Sequence, residues 1–277
     1  MAALLALSSA LTYGIGDFCG GLAARRSSAA AVLLWSHVVG LALLATGAVI
    51  VGGDPTRGDV AIGALSGLAG AAGVGLLYQA LAIGPMSAVA PVTALLAGAV
   101  PVVAGVAQGE RPGLAAIVGM VLGLVAVVLV SAEGGGSFRP QDPRAVTFAL
   151  GAGLGFGLFF VALSHTGDDS GLWPLVGARS ASVTCTTLLA LSGVISAVIP
   201  RGPARPLAAG AGALDALANL CYLLAVREGV LSVLSVLTAL YPVSTVVLAR
   251  VVLRERFAPM QRVGMAVAIP AAVLMAT

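Results

Sequence analysis

Asp215, Asn219 and Tyr222 are spaced four and three residues apart inside LAAGAGALDALANLCYLLAV, residues 207–226, an otherwise apolar stretch. A helix places such residues on one face. Twenty helical residues run about 30 Å, enough to cross the hydrocarbon core of a bilayer. A carboxylate near the middle of that path costs roughly 2.5–3.5 kcal/mol on insertion scales, so Asp215 should face protein or a cavity. There it could bind a proton or a substrate amine, with Asn219 and Tyr222 lining the same solute path; the alternative is a pair with Arg179 that only fixes packing. Arg179 itself could hold a carboxylate bidentately, act as counter-ion to an acid, or snorkel to the interface. His37 could titrate near neutral pH or rest neutral between helices. Tyr78, Gln79 and Trp35, with Asn219 and Tyr222, would form a half-polar, half-aromatic pocket. Asp17 is a second acid within an apolar stretch, five residues before Leu22, where pairing with Arg25 or Arg26 is the structural alternative.

The rest of the chain is suited to holding such a path. Of 277 residues, 59% are hydrophobic and 9% charged, with mean hydropathy +1.08. Soluble domains carry about 25% charged residues, so the composition is that of a multi-pass membrane protein. Short Gly, Pro or charged breaks separate ten apolar spans, at 2–22, 29–51, 60–82, 86–107, 112–132, 145–164, 172–198, 207–226, 230–252 and 258–276. The opening MAALLALSSALTYGIGD has no basic start and reads as the first span rather than a cleaved signal.

Several function classes fall away. A net charge of +3, all of its positive part from arginine, with no basic patch among aromatics, argues against a nucleic-acid partner. Cys19, Cys185 and Cys221 fall within spans, so neither a disulfide framework nor a metal site is expected. The glycine runs of spans 3 and 6 are followed by no GK[ST]; they suit close helix packing rather than a phosphate loop. No cofactor is expected. An enzyme is not expected either; a membrane enzyme acting on a lipid would have to use His165 with Asp168 and Asp169.

The longest polar break, EGGGSFRPQDPR at 133–144, divides the spans five and five, giving repeats over 1–138 and 139–277. Tyr78 and Tyr222 are 144 residues apart; Glu110 and Glu255, like Gly119 and Gly264, are 145 apart. Such internal similarity marks a duplicated transporter fold, and an odd number of spans per repeat forces the two into opposite orientations. The expected fold is therefore all-α, ten transmembrane helices as two inverted five-helix repeats. Pro91, Pro101 and Pro242 are plausible bends within it.

The YGIGDF turn of span 1, the glutamates in QGERPGLAAIVGMVLGLVAVVLV and LRERFAPMQRVGMAVAIPAAVLM, Tyr241-Pro242 ahead of Glu255, and Arg179 early in span 7 resemble the drug/metabolite transporter superfamily, EamA type. The resemblance covers nearly the whole chain. It implies alternating-access transport of a small organic metabolite or drug, with efflux the usual direction, across the inner (plasma) membrane. Related small multidrug resistance proteins carry a coupling acid in their first helix, which makes Asp17 a proton-coupling candidate beside Asp215. The halves differ: Ala97 stands where the second has Pro242, and Ala71 and Gly75 stand opposite Asp215 and Asn219, so a symmetric two-site mechanism is not expected. Flipping of a lipid-linked substrate is the alternative within transport. The expected partners are a small-molecule substrate and membrane lipid, with the protein a monomer or homodimer. The resemblance implies both termini in the cytoplasm, whereas the arginine distribution among loops favours both outside.

Overall fold

The computed structural model describes residues 1–84, 86–130, 142–252 and 258–276, with backbone alone at 86–88. Among them the regular elements are helices: α1 (Ala2–Ala24), α2 (Ala29–Val51), α3 (Arg57–Ile83), α4 (Met86–Ala107), α5 (Leu114–Val130), α6 (Pro143–Leu163), α7 (Trp173–Leu191), α8 (Ala204–Glu228), α9 (Leu231–Thr238), α10 (Pro242–Val252) and α11 (Pro259–Ala276), plus a 3-10 turn at Asp168–Ser170. The described helices make ten crossings of the bundle, α9 and α10 sharing one. Eight crossings are long and apolar enough to span a membrane by length and composition. Of the others, α5 is described over 17 residues, as far as Val130, and packs on α11, while α7 carries Arg179 with a run of Ser, Thr and Cys and packs on α3 and α2. Leu11, Val49, Ile50, Leu65, Val103 and Leu188 are exposed on the outside of the bundle, where a bilayer would cover them.

Two expected spans differ from the structure. The span expected over 172–198 stops being helical at Leu191, because Gly193 turns to φ +78 and Ser192 and Gly193 close the helix end on the Leu188 and Ala190 carbonyls. The span expected over 230–252 is broken between Thr238 and Pro242. Pro242 has no N–H and its ring excludes the carbonyl four residues back; the Thr238 carbonyl instead accepts from the Tyr241 N–H, at 3.2 Å. By contrast, α4 stays helical through both Pro91 and Pro101.

Packing repeats between the halves. α1 lies on α8 as α6 lies on α3, and α2 lies on α8 as α7 lies on α3. Gly67 and Gly212, 145 residues apart, allow the second of these contacts. A Cβ at Gly67 would overlap the Ala178 carbonyl of α7; one at Gly212 would overlap the Ser36 carbonyl of α2. The start of α1 and the end of α11 lie on one face of the bundle, the terminal face, and α5 ends and α6 begins at the opposite face.

At the terminal face the halves are laced together. Glu110, following α4, accepts hydrogen bonds from the Leu231 and Ser232 N–H groups at 2.8 and 3.0 Å, capping α9 of the other half rather than pairing with Arg111. Its counterpart Glu255 lies outside the described residues. Asp59 caps α3 through Thr56 and accepts from the Gly167 N–H at 2.7 Å. Arg227 donates to the Gly167 and Gly171 carbonyls and to Ser170 Oγ, at 3.1, 3.0 and 2.7 Å. The α6–α7 connection is thus held on both sides. Within it, His165 Nδ1 lies 2.7 Å from the Val161 carbonyl. Among the described residues no three His, Cys, Asp or Glu side chains are grouped to hold a metal ion.

Candidate substrate site

Asp215 stands eleven residues from the start of α8 and thirteen from its end, roughly 16–20 Å from either face at 1.5 Å per residue. A cavity opens beside it, lined by Tyr13, Gly16 and Asp17 of α1, Gly70, Val74 and Tyr78 of α3, Phe156, Phe159 and Phe160 of α6, Arg179 of α7, Asp215 and Asn219 of α8, and Tyr241. The glycines of YGIGDF draw α1 in. A Cβ at Gly14 would overlap the Tyr241 carbonyl at the helix break, and one at Gly16 would lie 3.3 Å from Leu214 Cβ. Tyr13 and Asp17, four residues apart, then face inward together. The cavity is small, with about 30 Å³ of it open to the centre of a water molecule.

A chain of polar contacts runs through one wall. The Tyr13 hydroxyl donates to Asn219 Oδ1 at 2.8 Å. Asn219 Nδ2 donates to the Asp215 carbonyl at 2.6 Å and to Asp215 Oδ1 at 3.2 Å. Arg179 forms an ion pair through Nη2 with Asp215 Oδ2, and its Nη1 donates to His37 Nε2 at 2.9 Å. A guanidinium only donates, so His37 Nε2 is the acceptor and Nδ1 carries the ring proton, facing Ser182 Oγ. Four helices, α1, α8, α7 and α2, are joined in this way.

Asp17 stands apart from the chain. It lines the same cavity, yet among the described residues it has no hydrogen bond or ion pair. Arg25, a conceivable partner, instead donates to the Leu81 carbonyl at 3.2 Å and the Gly84 carbonyl at 3.4 Å. Two carboxylates and one guanidinium therefore face a space ringed by three tyrosines and three phenylalanines.

The family profile that matches this chain covers residues 1–132 and 143–277. The chain belongs to the EamA-like transporter family. EamA-like proteins are membrane transporters of small solutes, and this chain is a multi-pass membrane protein of that kind. No curated protein matches it. One solved crystal structure, described only as that of a protein, superposes with a TM-score of 0.76 over 99% of this chain and 95% of its own, at 18% identity. Likeness at that identity shows a shared fold.

Of the residues singled out in this EamA-like sequence, Asp17, Tyr78, Arg179, Asp215 and Asn219 meet at the cavity. His37 lies behind Arg179. Tyr222 is fully buried beyond the cavity wall, its ring 4.2 Å from that of Phe160 and its hydroxyl 3.1 Å from Ser235 Oγ. Gln79 is exposed on the outer side of α3. Trp35 lies against Arg205, whose guanidinium is 5.1 Å from the ring centroid, away from the cavity. Sequence reasoning named Tyr13 and Tyr241 only within the motifs of the resemblance, and missed Ser182 and the phenylalanines of α6. Tyr13 carried a usable signal, standing one helical turn before Asp17.

Proposed function

We propose that this EamA-like chain is a secondary transporter that exports a small organic solute, a metabolite or drug bearing a cationic group, across the inner (plasma) membrane by alternating access. Proton coupling or exchange takes place at Asp17. One observation carries the reading: Asp17 faces a cavity at mid-depth with no partner among the described residues, whereas Asp215 is neutralised by Arg179. An unpaired carboxylate at that depth is costly, and a proton or a cation removes the cost. The rings of Tyr13, Tyr78, Tyr241 and Phe156 suit the flank of an organic cation, whose charge is drawn to aromatic faces. Proton and solute then compete for one carboxylate. Transport is coupled when the two conformations hold that proton with different affinity.

The water-sized free space supports a narrow state between loading and release, since a site of this volume takes a water or two and an organic solute needs far more. The α2–α7 and α4–α9 contacts are two of many between the halves, with α1 on α8, α3 on α6 and α5 on α11 among the others, so the bodies that rock would each combine helices of both halves. The test is a melting screen in detergent with primary amines, quaternary ammonium ions and amino acids, on wild type, Asp17→Asn and Asp215→Asn, followed by uptake into proteoliposomes under a pH gradient. A ligand at a hundred times its Kd stabilises by about 2.7 kcal/mol. Cations are expected to stabilise the wild type but not Asp17→Asn, and to move only when a gradient is applied. Stabilisation of Asp17→Asn equal to that of wild type would assign the binding group elsewhere.

A further inference from the structure

The short helix α9 is buried at every position, yet it carries hydroxyls at Ser232, Ser235 and Thr238. A serine or threonine inside a helix commonly turns its hydroxyl back to the carbonyl three or four residues earlier, as Ser36, Ser66 and Thr93 do. Ser232 and Thr238 do not. Both are wholly buried, and neither hydroxyl has a hydrogen-bond partner among the described residues. A buried hydroxyl left unbonded is costly. Buried polar groups that the protein itself does not satisfy are the ones that hold ordered water.

The hydroxyls recur every third residue, about 4.5 Å apart along the helix axis. That step is within reach of a bridging water, which joins two oxygens through bonds of about 2.8 Å each. The row has a polar group at each end. At the terminal face the half-buried Glu110 carboxylate accepts from the Ser232 N–H at 3.0 Å. In the middle, Ser235 Oγ lies 3.1 Å from the Tyr222 hydroxyl, which donates to the Phe160 carbonyl at 3.4 Å. At the inner end Thr238 stands three residues before Tyr241, and Phe160 and Tyr241 both line the cavity that Asp17 faces. We infer that bound waters join these hydroxyls into a proton path between Glu110 at the terminal face and the Asp17 cavity. Each oxygen along it releases one proton as it takes up another, so charge passes without any atom travelling the length. The path rests on the reading of Asp17 as the group that binds the proton.

The test begins with X-ray radiolytic footprinting of the purified protein, in which a hydroxyl radical formed from a bound water oxidises the side chain beside it. Tyr222 and Leu237 are fully buried, so their oxidation reports water inside the fold. Both are expected to be oxidised in wild type, and at least threefold less in the double variant Ser232→Ala with Thr238→Val. Thr238→Val alone, which keeps the side chain's shape, should give a smaller fall. No oxidation in wild type, or no fall in the variants, overturns the water sites. Proton entry is then read with an entrapped pH dye, in proteoliposomes loaded with tetraethylammonium and given an external acid pulse. The double variant should slow it at least fivefold, with the melting shift given by tetraethylammonium unchanged from wild type. A wild-type rate in the double variant, or no entry in wild type beyond that of protein-free vesicles, overturns the path. Asp17→Asn separates the two readings, since it should stop proton entry and leave the oxidation of Tyr222 as in wild type. Undiminished entry in Asp17→Asn alone overturns the role of Asp17, while the oxidation and the double variant still decide the path.

Discussion

Asp17 and Asp215 share a cavity but differ in what holds them, and that difference sets what each substitution should do. Asp17→Asn removes a charge that has no partner among the described residues, so melting temperature is expected to hold or rise while gradient-driven uptake falls at least tenfold; a matched thermal scan and liposome assay read the two. Asp215→Asn and Arg179→Ala each strand a buried charge. Removing one partner of such a pair costs about 3–5 kcal/mol, whereas removing both costs much less. A double-mutant cycle by thermal unfolding should therefore show strong coupling between positions 179 and 215. At this scale the sequence was partly legible. Helical periodicity placed Asp215 and Asn219 together correctly, but Tyr222 lies seven residues on, about 10 Å further along the axis, and depth rather than angle takes it out of the cavity. Gln79 follows Tyr78 by 100° of helix, so when one faces inward the other faces out. The Asp215–Arg179 pair joins helices across the fold's interior, and spacing alone left it one alternative among several.

At the scale of elements, two glycines and one glutamate do work that no neighbouring residue can replace. Gly67→Val should drive α3 away from α7, since its Cβ would enter the Ala178 carbonyl and backbone cannot yield as a side chain can. Overpacking of this kind costs about 1–3 kcal/mol or more, and loss of a monodisperse peak in size-exclusion chromatography is the readout. Glu110→Gln should weaken two charge-assisted bonds at the start of α9, roughly 1–2 kcal/mol together, and hydrogen exchange at the Leu231 and Ser232 amides should quicken. Span positions were readable from hydropathy because lipid demands apolar length. The break at Ala239–Tyr241 was not, since Pro242 looks like Pro91 and Pro101 in sequence; residues 231–242 are buried throughout, and packing rather than local preference decides which proline interrupts its helix.

For the whole molecule, the duplication was the clearest signal in the chain. The 145-residue offset between the Glu and Gly landmarks also relates Gly67 to Gly212. The near-equivalent residues His37 and Arg179 are in direct contact where α2 meets α7. The duplication supplies both five-helix repeats in one chain, so a single copy is expected to transport. Native mass spectrometry should give a protein mass of 27.1 kDa after detergent is removed, with uptake retained in vesicles holding one copy each.

The contacts that span the halves also impose an order in time. His37 leaves the ribosome 142 residues ahead of Arg179, and Tyr13 does so 206 residues ahead of Asn219. At about 5–20 residues per second, the imidazole waits roughly 7–28 s for the group it will accept from. Through that interval the first five helices hold polar side chains whose partners do not yet exist, and water or the insertion machinery has to shelter them until the second half arrives.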